Sequence, residues 1–215
     1  MIQRSVLNTS VKLEKIVQHY IRTHRARAQR EMKVFATQPS LTEAVKLAAR
    51  CVDVLRAKEG EKIVRHSHQR RIPRHCLMRA ERSLLAVKGK LRASRDFDEL
   101  HEQVSAAIGG GGIGALTIYD VTHRIGAYLK LSPKLVYLHA GTVKGARHIG
   151  VRGQTVAKSA LPREFRPLSP AHIEDCLCIY KDVLSGKIPL SWLSTRSCNP
   201  VGSSCETIGR SIRKC

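Results

Sequence analysis

Between residues 109 and 114 the chain reads Gly109-Gly110-Gly111-Gly112-Ile113-Gly114. Glycine loses more backbone freedom on ordering than any other residue, so such a run interrupts regular structure and marks a turn. On its N-terminal side Phe97, Leu100, Val104 and Ile108 recur at spacings of three and four; on its C-terminal side Leu116, Tyr119, Thr122, Ile125 and Leu129 do likewise. That period predicts two amphipathic helices joined by a tight glycine turn. The turn calls for positive φ without a Cβ, expected of Gly112 and Gly114, and it leaves amides open to an anion at the favourable end of the second helix dipole. The chemistry implied is a backbone grip on a phosphate that reads no base.

Ile108 and Gly112-Ile113-Gly114, set within residues 97–129, resemble the turn of the helix-hairpin-helix family of DNA-binding motifs, of the form apolar-x-Gly-apolar-Gly between short helices. The surplus glycines Gly109 to Gly111 depart from the family's short loop. The resemblance implies non-catalytic binding of duplex DNA through its backbone. DNA glycosylases of the same class carry a lysine two residues past the hairpin and an aspartate about twenty further on. Here those slots hold Leu116 and Tyr137, which supply neither a Schiff base nor a negative charge. A diverged DNA-processing enzyme, with Asp120 or His139 in its site, is therefore the alternative reading. Asp120 has an ordinary role as an ion-pair partner of Arg124 one turn on. The stretch from Leu116 to Tyr180, including Arg124-Ile125-Gly126 and Tyr137-Leu138-His139-Ala140-Gly141-Thr142, resembles an uncharacterised bacterial protein family and implies no activity.

Charge points to the same partner. The 38 Lys and Arg against 17 Asp and Glu give a net charge of +21, a field suited to a polyanion. From Lys62 to Arg95 there are eleven bases, and Glu81 is the single acid. A second cluster, Arg22, Arg25, Arg27, Arg30 and Lys33, lies along the N-terminal segment. An acidic protein chain would meet the same field, but aromatics at 4% leave little for base stacking, which favours backbone gripping of a duplex over single-strand recognition. The expected contacts are Gly112, Ile113, Gly114, Arg65, Arg70, Arg71 and Arg74, with Lys144 and Arg147 on a short basic helix as a second phosphate contact. No apolar run approaches the ~20 residues that span a bilayer, and no membrane contact is expected. Without an apolar leader, and with Glu14 and Glu31 in the Arg-rich start, a cytoplasmic location is the expectation.

The remaining pattern is helical throughout, predicting an all-α fold. Ser40 and Glu43 read as a capping box for a helix carrying Ala44, Leu47, Ala48, Cys51, Val52 and Leu55, ended by Gly60. A helix from Pro73 to Lys88 is closed by Gly89; Ser132-Pro133 and Ser169-Pro170 each open a helix, the latter running from Ala171 to Leu184. Gly141 reads as a helix stop and Thr142 as the cap of the basic helix. The organisation expected is a basic N-terminal helix or arm at 1–36, a helical domain at 37–190 and a loosely ordered Ser/Cys-rich tail at 191–215. The cysteines are odd in number, seven, and read as reduced thiols. The tail spacing of Cys198, Cys205 and Cys215 lacks the close pairs of a zinc site. His66, His68, His75 and Cys76 sit among arginines, where phosphate or water is the commoner partner, so neither metal nor cofactor is expected.

Overall fold

A computed structural model describes residues 2–56, 64–66 and 69–195. The chain is mostly helical, as the apolar periodicity predicts. In chain order the elements are α1 (Ile2–Tyr20), a π-helical turn (Ile21–Arg25), α2 (Ala26–Ala36), α3 (Leu41–Ala49), α4 (Arg74–Ala86), α5 (Lys88–Ala93), α6 (Phe97–Ile108) and α7 (Ala115–Leu129). They continue with β1 (Leu135–Tyr137), α8 (Ala140–Arg147), β2 (Thr155–Ala157), α9 (Pro170–Ile179), α10 (Lys181–Leu184) and α11 (Trp192–Thr195). No helix among the described residues is long and apolar enough to cross a membrane. Packing divides the chain into two units, residues 29–133 and a discontinuous unit of residues up to 28 with 134–195.

In the unit 29–133, α7 packs on α3 and α6, and α4 packs on both α3 and α6. Phe35, Leu41, Val45, Leu84, Leu100, Val104, Ile113 and Ile125 form its core. α7 is buried almost all round: Thr117, Ile118, Tyr119, Val121, Thr122, Arg124, Ile125 and Gly126 are all inside. It is thus the central rod of the unit rather than a helix with one apolar stripe.

In the discontinuous unit, α1 buries Leu13, Ile16, Val17 and Tyr20 and packs on α9, on α11 and on the short 3₁₀ turn Arg163–Phe165. α8 lies against α9 and α10, and β1 lies beside α9. β1 and β2 pair antiparallel with Val136 opposite Val156. Three residues each are too few to show alternation in a sequence, so this ribbon is invisible to a periodicity reading.

Several expected boundaries move. α3 ends at Ala49, not Leu55, because Cys51 turns left-handed at φ 56 and Val52 pairs with Arg65 instead. Gly60, the expected stop, lies outside the described residues. Half of the capping box forms: the Glu43 amide donates to Ser40 Oγ at 3.2 Å, while the Glu43 carboxylate is taken by Lys46 Nζ at 2.8 Å. Gly89 does not close a helix but lies inside α5. Ser132-Pro133 leads into β1, not into a helix. α8 starts at Ala140 with His139 as its N-cap, so Gly141 is no stop and Thr142 no cap; the Thr142 hydroxyl donates to Glu174 instead. Ser169-Pro170 behaves as expected, its hydroxyl accepting the His172 amide at 3.3 Å, with one break at Tyr180 between α9 and α10.

Candidate nucleic-acid interface

The glycine run makes a tight turn with a buried anchor. Gly109 caps α6, its amide donating to the Ser105 carbonyl at 2.8 Å. The Ile113 amide then donates back to the Gly110 carbonyl at 3.1 Å, enclosing Gly111 at φ 53 and Gly112 at φ 91. Two central residues at positive φ are the pattern that glycine alone adopts cheaply, and Gly110 at φ 80 extends it. Ile113 drops into the core at 5% exposure and pins the turn to the unit. Gly114 corrects the expectation of positive φ: it sits at φ −93 in extended backbone and serves as the N-cap of α7. No side chain caps this helix start, the first intrahelical bond runs from the Ile118 amide to the Gly114 carbonyl, and Gly114 and Ala115 are exposed. The first-turn amides are thus left for an outside acceptor at the positive end of a 15-residue helix.

α4 brings positive charge to this turn. Its inner side buries Cys76, Leu77, Ala80, Glu81 and Leu84, while Arg74, His75, Met78, Arg79 and Arg82 are exposed together with Arg70 and Arg71 just before it. Arg79 Nη2 donates to the Gly111 carbonyl at 2.7 Å, and Cys76 Sγ would lie 3.3 Å from a Cβ at Gly112. One guanidinium of the basic edge is therefore fixed on the hairpin. Glu81, the one acid of the segment, is turned inward and matched by Arg50 through bonds of 2.6 and 2.8 Å. Lys62 and His68 lie outside the described residues. His75 is exposed and Cys76 buried, so the two do not share one face of α4.

Behind the basic loop stands a polar network that the sequence reading missed. Gln69 is fully buried; its Nε2 donates to Asp120 Oδ2 at 2.8 Å and its Oε1 accepts from Arg124 Nη1 at 3.3 Å. Arg124, 3% exposed, reaches Glu31 at 3.1 Å, and His66 lies 3.1 Å from the same Glu31 oxygen. Burial alone would raise the Glu31 carboxyl, but the Arg124 guanidinium and the His66 ring outweigh it and hold the group at about 2. Asp120 and Arg124 are near each other as their spacing suggests, yet the described hydrogen bonds of Arg124 go to Gln69 and Glu31. Arg65 Nη1 donates to the Ile72 carbonyl at 3.0 Å, tying down the loop that carries Arg70 and Arg71. The one available signal was Arg124 itself, a charged residue on the inward side of an apolar period, which demands a distant acid.

Lys144 and Arg147 lie in the other unit, exposed on α8. With His148, Lys181, Asp182 and Lys187 they line a cavity of about 300 Å³. His139 is buried 3.6 Å from Glu174 and so lies inside the fold. Asp120 belongs to one unit and His139 to the other. Cys51, Cys76 and Cys176 are buried free thiols and Cys178 a half-buried one; burial pushes the Cys51 thiol up to about 11. Cys198, Cys205 and Cys215 lie outside the described residues. Among those residues no group of three or more His, Cys, Asp or Glu is placed to hold a metal ion.

Fold and surface together define a mostly helical protein with an uncapped glycine hairpin beside a cationic helix edge. No protein-family model, curated protein or solved structure matches the chain.

Proposed function

We propose that residues 29–133 grip duplex DNA by its phosphate backbone, with the hairpin and the outer edge of α4 as one contact, and that the protein does so without catalysing a reaction on it. The observation that carries the reading is the bond from Arg79 to the Gly111 carbonyl, which fixes the hairpin against α4, the helix whose exposed side carries Arg74 and which Arg70 and Arg71 closely precede. Amides that point at a phosphate and guanidiniums that neutralise its neighbours are the usual division of labour in backbone recognition. The resemblance to helix-hairpin-helix motifs supports the same partner, and the described bond from Gln69 supports a structural role for Asp120.

Fluorescence anisotropy with duplex DNA, single-stranded DNA and duplex RNA across a salt series tests this. Affinity for the duplex falls steeply with salt, and the triple change Arg70→Ala, Arg71→Ala, Arg74→Ala flattens the slope by up to about three counterions. An unchanged slope in the triple variant removes this edge from the footprint. Asp120→Asn leaves duplex binding nearly intact; base release by the native protein that vanishes in Asp120→Asn establishes an enzyme instead.

A further inference from the structure

The cavity between α8 and α10 has a packing cause. A Cβ at Gly145 would lie 2.2 Å from the Leu177 carbonyl oxygen, and one at Gly141 would lie 2.7 Å from Cys178 Sγ, so α8 approaches α9 closer than any side chain permits. This draws Lys144 and Arg147 toward Lys181 and Lys187, four permanent cations around one concavity. The turn that carries Lys187 is held in place as well: Ser185 Oγ donates to the Asp182 carbonyl at 3.0 Å and accepts the Lys187 amide at 3.4 Å.

Stability of the fold does not call for this arrangement. Lys144, Arg147 and Lys187 are exposed, and four like charges held together repel, with Asp182 the one acid on the wall. Lys181 has a local role, its Nζ donating to the Cys178 carbonyl at 3.3 Å near a helix end. The other three are left facing the cavity with His148. A concave wall of one sign focuses the field on whatever enters it. A volume of about 300 Å³ stands at the small end of ligand sites, enough for a terminal group but not for a duplex.

We propose that this cavity binds a phosphate monoester dianion. A monoester carries up to a second negative charge near neutral pH, which an internal phosphodiester lacks, and a pocket closes around an end where a flat face does not. The group arrives either on the 5′ end of a nucleic-acid strand or on a small phosphorylated molecule. The site lies in the unit of residues up to 28 with 134–195 and stands without the hairpin reading.

The test uses the full chain and two double variants: Lys144→Ala with Lys187→Ala in the wall, and Lys134→Ala with Arg152→Ala as a charge-matched control at exposed positions of the same unit. Short oligonucleotides with a 5′-phosphate or a 5′-hydroxyl are titrated, with inorganic phosphate or sulfate as competitor at fixed ionic strength. The expected result is that phosphate and sulfate both compete, and that the wall variant weakens phosphate binding about tenfold while the control does not. A preference for the 5′-phosphate that is lost in the wall variant assigns the ligand to a strand end; phosphate binding without that preference assigns it to a small molecule. No competition by phosphate, or equal losses in the two variants, overturns the proposal. Duplex binding by the hairpin unit, present or absent, cancels from the comparison of the two 5′ ends.

Discussion

At Gly112 the backbone stands at φ 91 with Cys76 Sγ 3.3 Å from the place of a Cβ, whereas Gly114, two residues on, stands at φ −93 with open space around it. The two glycines respond unequally to substitution. Gly112→Ala costs about 1 kcal/mol of stability, since a side chain at positive φ meets its own backbone, and weakens duplex binding with it. Gly114→Ala strains no backbone and costs less, its one penalty being the lower preference for alanine at an N-cap, which urea denaturation of the pair resolves. Equal losses at both positions contradict the turn geometry. Deeper in the same unit, Arg124→Met leaves Glu31 buried against His66 without its main counter-charge and costs about 3–5 kcal/mol, while adding Glu31→Gln to it restores part of the loss. A double variant as unstable as the sum of the singles denies the coupling.

At the level of elements, two arginines on α4 separate structure from contact. Arg74→Ala removes an exposed cation and lowers duplex affinity without touching stability; Arg79→Ala lowers both, because its guanidinium also holds the Gly111 carbonyl. Thermal denaturation beside anisotropy distinguishes them, and identical behaviour of the two removes Arg79 from the hairpin. α6 and α7 were legible in the sequence to the residue or nearly so, because both have unbroken apolar periods and the glycines end one and begin the other. α3 was not, since nothing in Ala48-Ala49-Arg50-Cys51 announces that a cysteine will take the left-handed conformation usually left to glycine. The strands escaped by their brevity, and α8 by a start at Ala140, itself at φ 42. Of the candidate surface, the hairpin and the exposed arginines could be named in advance. The network of Glu31, His66, Gln69, Asp120 and Arg124 could not, because it joins residues 93 positions apart that only the packing of α2 and a loop onto α7 brings together.

For the whole molecule the two units face acid differently. Burial, followed by the charges of His19 and Arg27, depresses His24 to about 4 from its ordinary 6.5. Between those values the unfolded chain takes up a proton that the folded one refuses, so the stability this group contributes is intact above 6.5 and lost as pH falls toward 4. Glu31, held at about 2 against an ordinary 4.5, keeps its contribution down to 4.5 and loses it as pH falls toward 2. Hydrogen exchange across pH is expected to show α9 and α1 losing protection first, with α3 and α7 holding to lower pH. Simultaneous loss in both units only below 4.5 contradicts the His24 assignment, and His24→Gln flattens the upper window.

The division of the chain also sets an order of events during synthesis. α1 leaves the ribosome with Leu13, Ile16, Val17 and Tyr20 bare, yet the α9 and α11 surfaces that cover them lie beyond residue 169. The unit 29–133 has its core complete within one uninterrupted stretch and can close first. For the time it takes to translate the intervening residues, an amphipathic helix with its apolar face uncovered therefore waits at the exit, and chaperone capture of stalled nascent chains is expected to centre on α1 until α9 and α11 emerge.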